Sequence, residues 1–298
     1  MQIRMQESIR ENGLDIQPWD LGIIGEPLDE RGTAAVAFIS SNSNTVVSAR
    51  YDPDGFYIDI DGKVRNAERT AELLENWRGK RIVLETTTLG FVEVFLCSKA
   101  LIDLKVTSFY MVYVEPKEYT TVAGGRLLDK RHFDLSEEVP GFKGIPGATL
   151  VTTERTAQRT AFFLGFEERR LDVALVSQGF RPSEVAVIFG VPAFTPGWEM
   201  HSFANNIRVI QDHGLSGGIH FCGAENPASA YDTLESLYDA LSFKERLIVG
   251  PLGTKPNGIG AALFAASHSE VGLLYDHPRK SRRRTSEIAR WHIYEIVL

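Results

Sequence analysis

Residues 247–276 read LIVGPLGTKPNGIGAALFAASHSEVGLLYD, and this stretch decides the fold class. Leu247, Ile248 and Val249 form a short apolar run with β-branched residues, as in a strand covered on both faces. Gly250, Pro251 and Gly253 punctuate its end. Thr254 is placed to cap a helix, its hydroxyl accepting from a main-chain N–H of the first turn. Pro256 suits that turn, where a missing N–H costs nothing. Gly258, Gly260, Ala261, Ala262, Ala265 and Ala266 are small enough to let the helix lie close to a sheet. Val271 to Tyr275 reads as the next strand. The unit is strand–loop–helix–strand, the building block of an open parallel sheet.

The placement of the loop suggests a site. It lies at the carboxyl end of a strand and the amino end of a helix, where unpaired N–H groups and the helix dipole favour an anion. Lys255 adds a point charge. The next strand ends at Asp276, followed by His277-Pro278-Arg279-Lys280-Ser281-Arg282-Arg283-Arg284. In a parallel sheet both loops leave on the same edge. The candidate ligand contacts are therefore Gly253, Thr254, Lys255 and Asn257 from the first loop, and Asp276, His277, Arg279 and Arg282 from the second. A surface role for the basic run, solvated and without a ligand, is the competing reading.

Alternation of strands and helices continues upstream. Arg81 to Leu84 reads as a strand, Glu85-Thr86-Thr87-Thr88-Leu89-Gly90 as a polar loop, Phe91 to Asp103 as an apolar helix and Val106 to Val114 as a strand. Thr86, Thr87 and Thr88 offer hydroxyls to a phosphate or other polar ligand. Helix capping by threonine accounts for the same residues without one. From residue 160 the pattern recurs, with strands near 160–164, 184–189, 218–222 and 247–249. The chain is thus predicted to be α/β, with a mostly parallel, Rossmann-like three-layer sheet in two related lobes. The predicted layout is an extended arm over 1–32, a first lobe over 33–115 opening on a strand at Thr33–Ile39, a connecting or interface region over 116–158, and a second lobe over 159–298. A strand at Trp291–Val297 closes the second lobe.

Composition narrows the function. The 298 residues are 43% hydrophobic and 24% charged, as in an ordinary globular protein. A net charge of −7 argues against nucleic-acid binding through a generally basic surface, while allowing a local basic pocket. Cys97 and Cys222 are too few for a disulfide framework. The first twenty residues are polar and unlike a signal peptide, and no run is long enough to cross a bilayer. A cytoplasmic protein without membrane contact is expected.

Familiar catalytic patterns are missing or misplaced. Gly214-Leu215-Ser216-Gly217-Gly218 matches a nucleophile elbow in letters, but a helix precedes it and a strand follows, the reverse of what that turn needs. The order Gly253-Thr254-Lys255-Pro256 is not that of a phosphate-binding P-loop, and no glycine fingerprint for a dinucleotide follows a strand. No paired-cysteine or His-Glu-x-x-His pattern suggests zinc.

The Gly253-Thr254-Lys255 loop resembles that of the Rossmann-like sensor domains of prokaryotic immunity, the CARF and SAVED families, with Leu252 at the first glycine position of their Gly-Gly-Thr-Lys-like motif. The resemblance implies sensing of a cyclic oligonucleotide. Three classes of function stand open. One is a binding module for a nucleotide or oligonucleotide. Another is an enzyme acting on a nucleotide or phosphorylated metabolite, with Glu85, Glu115, Glu167 or Asp276 supplying acid–base chemistry. A scaffold role, with a protein partner or a second copy on the 116–158 region, is the third.

Overall fold

In the computed structural model, which describes residues 1–120, 133, 135–138, 140–149, 157–215, 218–282 and 284–298, the chain divides into two units. One comprises Met1–Thr120 with Arg282–Leu298, the other Thr121–Ser281. Each is α/β. Residues 121–132, 134, 139 and 150–156 of the 116–158 region, expected to form an interface, and Ser216-Gly217 of the elbow-like motif lie outside the described residues.

The first unit begins with β1 (Gln2–Ser8) and β2 (Trp19–Ile24), followed by α1 (Glu30–Asn42) and β3 (Ser43–Asp52). A hairpin of β4 (Tyr57–Ile60) and β5 (Lys63–Asn66) and the short α2 (Thr70–Leu74) come next. β6 (Ile82–Glu85), α3 (Phe91–Asp103) and β7 (Ser108–Tyr119) complete the run, and the C-terminal β16 (Thr285–Val297) returns to this sheet. The strand order is β1-β16-β7-β6-β2-β3-β4-β5. Only the central pairs β7–β6, β6–β2 and β2–β3 are parallel.

Three expectations are corrected here. Residues 1–32 are not an arm. β1 pairs along its whole length with β16, and β2 lies mid-sheet with Leu21 and Ile23 fully buried. Pro18, Gly22, Gly25 and Pro27 break the sequence around β2 and hide its short apolar run. The segment Thr33–Ile39 is helical, because Asp29 caps it by accepting from the Gly32 N–H at 2.8 Å. Ala35, Phe38 and Ile39 then share its buried face, an i, i+3, i+4 pattern that outweighs the β-branched residues. The terminal strand belongs to the first unit, since Trp291 and Ile293 pack with Trp19, Phe38 and Val112 in its core.

The second unit holds β8 (Ser136–Glu138), β9 (Lys143–Gly144), β10 (Ala157–Leu164), α4 (Glu168–Gln178), β11 (Val185–Gly190) and α5 (Trp198–Asp212). It continues through β12 (Ile219–Cys222), α6 (Pro227–Asp239), β13 (Glu245–Pro251), α7 (Lys255–Ser267), β14 (Gly272–Tyr275) and β15 (Arg279–Lys280). The main sheet runs β12-β11-β10-β13-β14-β9 and is parallel except at β9; β15 pairs with β8. "Mostly parallel" therefore describes this sheet, while the first mixes both senses. Phe162, Val187 and Phe189 of the sheet pack with Leu171 and Leu175 of α4 and Ile210 of α5. The small residues of α7 serve its contact with α6. A Cβ on Gly260 would stand 2.5 Å from the Pro227 carbonyl oxygen, so only glycine permits that approach.

Candidate functional site

In the second unit the strand order reverses between β10 and β13: the chain moves outward one way through β11 and β12, then the other way through β13 and β14. Loops at the carboxyl ends of two such strands diverge to opposite faces, which is where open α/β sheets bind ligands. Here the two loops touch. A Cβ on Gly165, after β10, would stand 3.0 Å from the Leu252 carbonyl oxygen, after β13. Helix α5 fixes the first loop. Ser202 Oγ and Asn206 Nδ2 both donate to the Gly165 carbonyl at 2.9 Å, and Asn205 Nδ2 donates to that of Phe166 at 2.7 Å. Phe166 stacks on Phe133 with ring centres 4.1 Å apart and meets Trp198 edge-on at 6.3 Å, while His201 approaches Phe133 at 6.0 Å.

The second loop is partly committed to structure. Thr254 caps α7, its Oγ1 accepting from the Asn257 N–H at 3.3 Å and donating to the Ala224 carbonyl at 2.6 Å. Asn257 is buried and donates from Nδ2 to the Gly223 carbonyl at 2.9 Å. Both side chains thus tie α7 to the loop after β12. Gly253, Thr254 and Lys255 remain half-buried, and the first turn of α7 carries no acidic residue. Of the four predicted contacts, Lys255 supplies the charge and Gly253 the main chain, while Thr254 and Asn257 hold the loop in shape.

Asp276 has a different role from the one expected. It is fully buried at the end of β14, and Arg170 Nε and Nη2 donate to its two oxygens, each at 2.6 Å. Arg170 stands in the first turn of α4. Burial alone would lower the guanidinium pKa, but the hydrogen bonds and charge of Asp276 reverse this and raise it. A bidentate pair of this kind engages both carboxylate oxygens in holding α4 to the end of β14. The sequence reading missed Arg170. The signal was a second arginine following Glu167-Glu168 in a first turn, where the dipole favours acids.

The basic run does not act as one element. His277 adopts a left-handed backbone (φ 48°), and its ring meets Tyr275 at 5.2 Å. Arg279 is exposed on β15, opposite Glu138 in register. Arg282 is exposed and belongs to the first unit, as does Arg284.

The first unit has its own reversal, between β2 and β6. Here the three threonines are spent on the fold. Thr86 Oγ1 donates to the Val112 carbonyl at 2.8 Å, and Thr87 Oγ1 accepts from the Val114 N–H at 3.0 Å. Thr88 Oγ1 accepts from the Gly25 N–H at 2.8 Å and donates to the Glu85 carboxylate. Glu85, fully buried, also accepts from the Thr87 and Thr88 N–H groups at 2.7 and 2.9 Å. A Cβ on Gly25 would stand 2.7 Å from the Leu89 nitrogen, so the two loops are closed against each other.

Beside this closure lies a polar network that the sequence reading did not assemble. Arg31, in the first turn of α1 and 3% exposed, donates from Nη1 to the Val114 carbonyl at 2.6 Å and from Nε to Thr285 Oγ1 at 3.0 Å. Its Nη2 lies 3.3 Å from Asp29 Oδ2, which also accepts from Thr285 Oγ1 at 2.6 Å. Burial pushes the Asp29 carboxyl pKa up, but Arg31, Thr285 and the Gly32 N–H outweigh it and hold the group below its ordinary value. Burial raises the Tyr113 pKa well above normal, and the Arg31 guanidinium lies 6.0 Å from the centre of its ring. Glu115 and His292 form a buried pair at 2.8 Å. The two thiols are inert by comparison: Cys97 and Cys222 are unbridged, and burial pushes each to about 12.

A cavity of about 330 Å³ lies elsewhere in this unit, bounded by Trp19, Arg81, Tyr110 and Glu295 near the amino ends of the parallel strands. Arg81 sits 4.9 Å over the Tyr110 ring there. It is remote from the loops where ligands of such sheets bind. Among the described residues, no three potential metal ligands gather, and no helix is long and apolar enough to cross a membrane.

No protein-family model matches the chain. No curated protein matches it. Among solved structures, a ketoreductase domain from the bacillaene assembly line is similar at 10% identity and a TM-score of 0.20. The match covers 84% of this chain and 63% of that one, so the chain spans less than two thirds of the ketoreductase domain's length. At that TM-score the likeness carries no argument, and function is read from the residues alone.

Proposed function

We propose that the second unit binds a phosphorylated ligand, a nucleotide or oligonucleotide, at the loops following β10 and β13, and that the protein acts as a cytoplasmic sensor of that ligand. The observation that carries this reading is the meeting of those two loops where the strand order reverses. Lys255 and the main chain of Gly253 and Thr254 would hold a phosphate at the start of α7. The rings of Phe166, on the loop after β10, and Trp198, at the start of α5, suit an aromatic base. A role in antiviral defence, as the CARF and SAVED resemblance implies, belongs to the same proposal, as does a protein partner or a second copy.

The proposal also takes each unit as a Rossmann-like three-layer lobe and the two lobes as related. In support, Arg31 and Arg170 each stand in the first turn of the helix after the strand at the reversal. Glu115 and Asp276 are each buried near or at the end of the last parallel strand.

The arrangement favours binding over turnover. The four carboxylates considered for acid–base chemistry all have structural partners: Glu85 the threonine loop, Glu115 His292, Asp276 Arg170, and Glu167 both Ser136 Oγ at 3.1 Å and Arg170 at 3.7 Å. Calorimetric titration with mononucleotides and short cyclic and linear oligonucleotides tests the reading. Lys255→Ala is expected to weaken binding by about 1–3 kcal/mol, the scale of one charge-assisted hydrogen bond. Unchanged affinity would remove this loop from the site.

A further inference from the structure

The cavity of about 330 Å³ in the first unit has a wall whose charges are not all answered by the chain. Four charged side chains border it: Arg4, Asp15, Arg81 and Glu295. Two of them answer each other. Arg4 Nη1 lies 3.4 Å from Glu295 Oε2, and the Tyr110 hydroxyl donates to Glu295 Oε1 at 3.2 Å. The other two have no ionic partner. Arg81 sits over the Tyr110 ring, and its Nε, Nη1 and Nη2 donate to the Pro18 carbonyl, the Tyr110 hydroxyl and the Gln17 carbonyl, each at 3.3 Å. These bonds are long and their acceptors are neutral, so the guanidinium is held in place while its charge is left unmatched. The Asp15 carboxylate, on the exposed segment between β1 and β2, forms no hydrogen bond or ion pair among the described residues. Ile16, Trp19 and Ile293 give the same wall an apolar part, and the Trp19 and Tyr110 rings lie with centres 6.2 Å apart.

One unmatched cation, one unmatched anion and an apolar wall are the complement of a zwitterion that carries an apolar group. We propose that this cavity binds a free α-amino acid with an apolar side chain. Arg81 receives the carboxylate, because a guanidinium fork matches a carboxylate in charge and in plane. Asp15 receives the ammonium group, and Trp19 with its apolar neighbours receives the side chain. The volume stands at the small end of the range for ligand pockets, which suits a single small molecule. The site shares no residue with the Lys255 loop and lies away from the carboxyl ends of the parallel strands.

Calorimetric titration of the full chain with L-phenylalanine and L-leucine tests it, alongside probes that each lack one feature: hydrocinnamate without the ammonium, phenethylamine without the carboxylate, and glycine without the side chain. The wild type should bind at least one of the two amino acids. Removing either charge from that ligand should weaken it about tenfold or more, as loss of a charged hydrogen bond implies. Arg81→Gln should weaken the amino acid to a similar degree and leave phenethylamine unchanged, and Arg81→Lys should retain part of the affinity. Asp15 is exposed, so Asp15→Asn should fold as the wild type does; it should weaken the amino acid and leave hydrocinnamate unchanged. A wild type that binds neither amino acid, hydrocinnamate or phenethylamine bound as tightly as phenylalanine, or an Asp15→Asn protein with undiminished amino-acid affinity would each overturn the proposal. None of these outcomes depends on nucleotide binding at Lys255, so the two readings fail separately.

Discussion

The two strand-order reversals are built from matching parts used differently. Each has a glycine at which the loops approach, Gly25 in one unit and Gly165 in the other. Each has a buried arginine in a helix's first turn and a buried carboxylate in or just past the last parallel strand. In the second unit that arginine and that carboxylate bond to each other. In the first, Arg31 turns to Asp29, Thr285 and main-chain oxygen, while Glu115 turns to His292. The loops differ in the same way. Three threonine hydroxyls and Glu85 sew the first shut, whereas Gly253 to Lys255 stay half-buried with a cation at the helix start. A hydroxyl can satisfy main-chain groups in place, so a threonine-rich loop can close on itself. A lysine in a helix's first turn brings positive charge to the end where the dipole favours an anion.

The sharpest way to break the comparison is through the pair that exists in only one unit. Asp276→Ala leaves Arg170 charged and buried without its bidentate partner, with only the longer Glu167 contact at 3.7 Å. Stability should fall by about 3–5 kcal/mol, measured by urea unfolding, the usual cost of orphaning a buried charge. Replacing both residues, as Arg170→Met with Asp276→Leu, should recover most of the loss, because the penalty comes from the unpaired ion rather than from a missing bond. If Asp276→Ala unfolds no more easily than wild type, the pair does not hold β14 to α4.

The corresponding change in the first unit is Glu85→Gln. The carboxylate accepts two main-chain N–H groups and the Thr88 hydroxyl. The amide offers one oxygen and turns a donor toward donors. A loss of about 1.5–3 kcal/mol is expected, that of charge-assisted hydrogen bonds in a buried loop. A smaller cost than Asp276→Ala is the essential outcome. A larger one would mean that the first closure, not the second pair, is the more costly to open.

What the sequence made legible follows from how local each signal is. The unit around residues 247–276 was readable because its strand, cap, helix and second strand are each set by neighbours in the chain. Thr254 capping α7 and the α/β character follow from such local rules. Arg170–Asp276 was not readable, because its members lie 106 residues apart and only the sheet order brings them together. Arg31 and Thr285 are separated further still, by 254 residues. Asp29 misled differently: it was the cap of an unrecognised helix, since Thr33, Val36 and Ile39 carry β-branched side chains that suggest a strand. The basic run 279–284 looked like one patch because charge is visible in sequence, while the boundary that divides it is not.

The smallest effect separates shape from binding within the second loop itself. Thr254 Oγ1 caps α7 and also reaches the Ala224 carbonyl. Thr254→Ala should cost about 1 kcal/mol of stability, within the range for losing a helix cap, and Thr254→Ser should restore it, because serine keeps the oxygen. Lys255→Ala should show the opposite profile, with ligand affinity reduced and stability less affected than by Thr254→Ala, since Lys255 does not supply the helix cap. The two residues are adjacent, so a general disturbance of the loop would move both readouts in both variants. Separate responses would mean that one residue builds the turn and the other meets the ligand, a division of labour that the fully sewn loop of the first unit has no residue to perform.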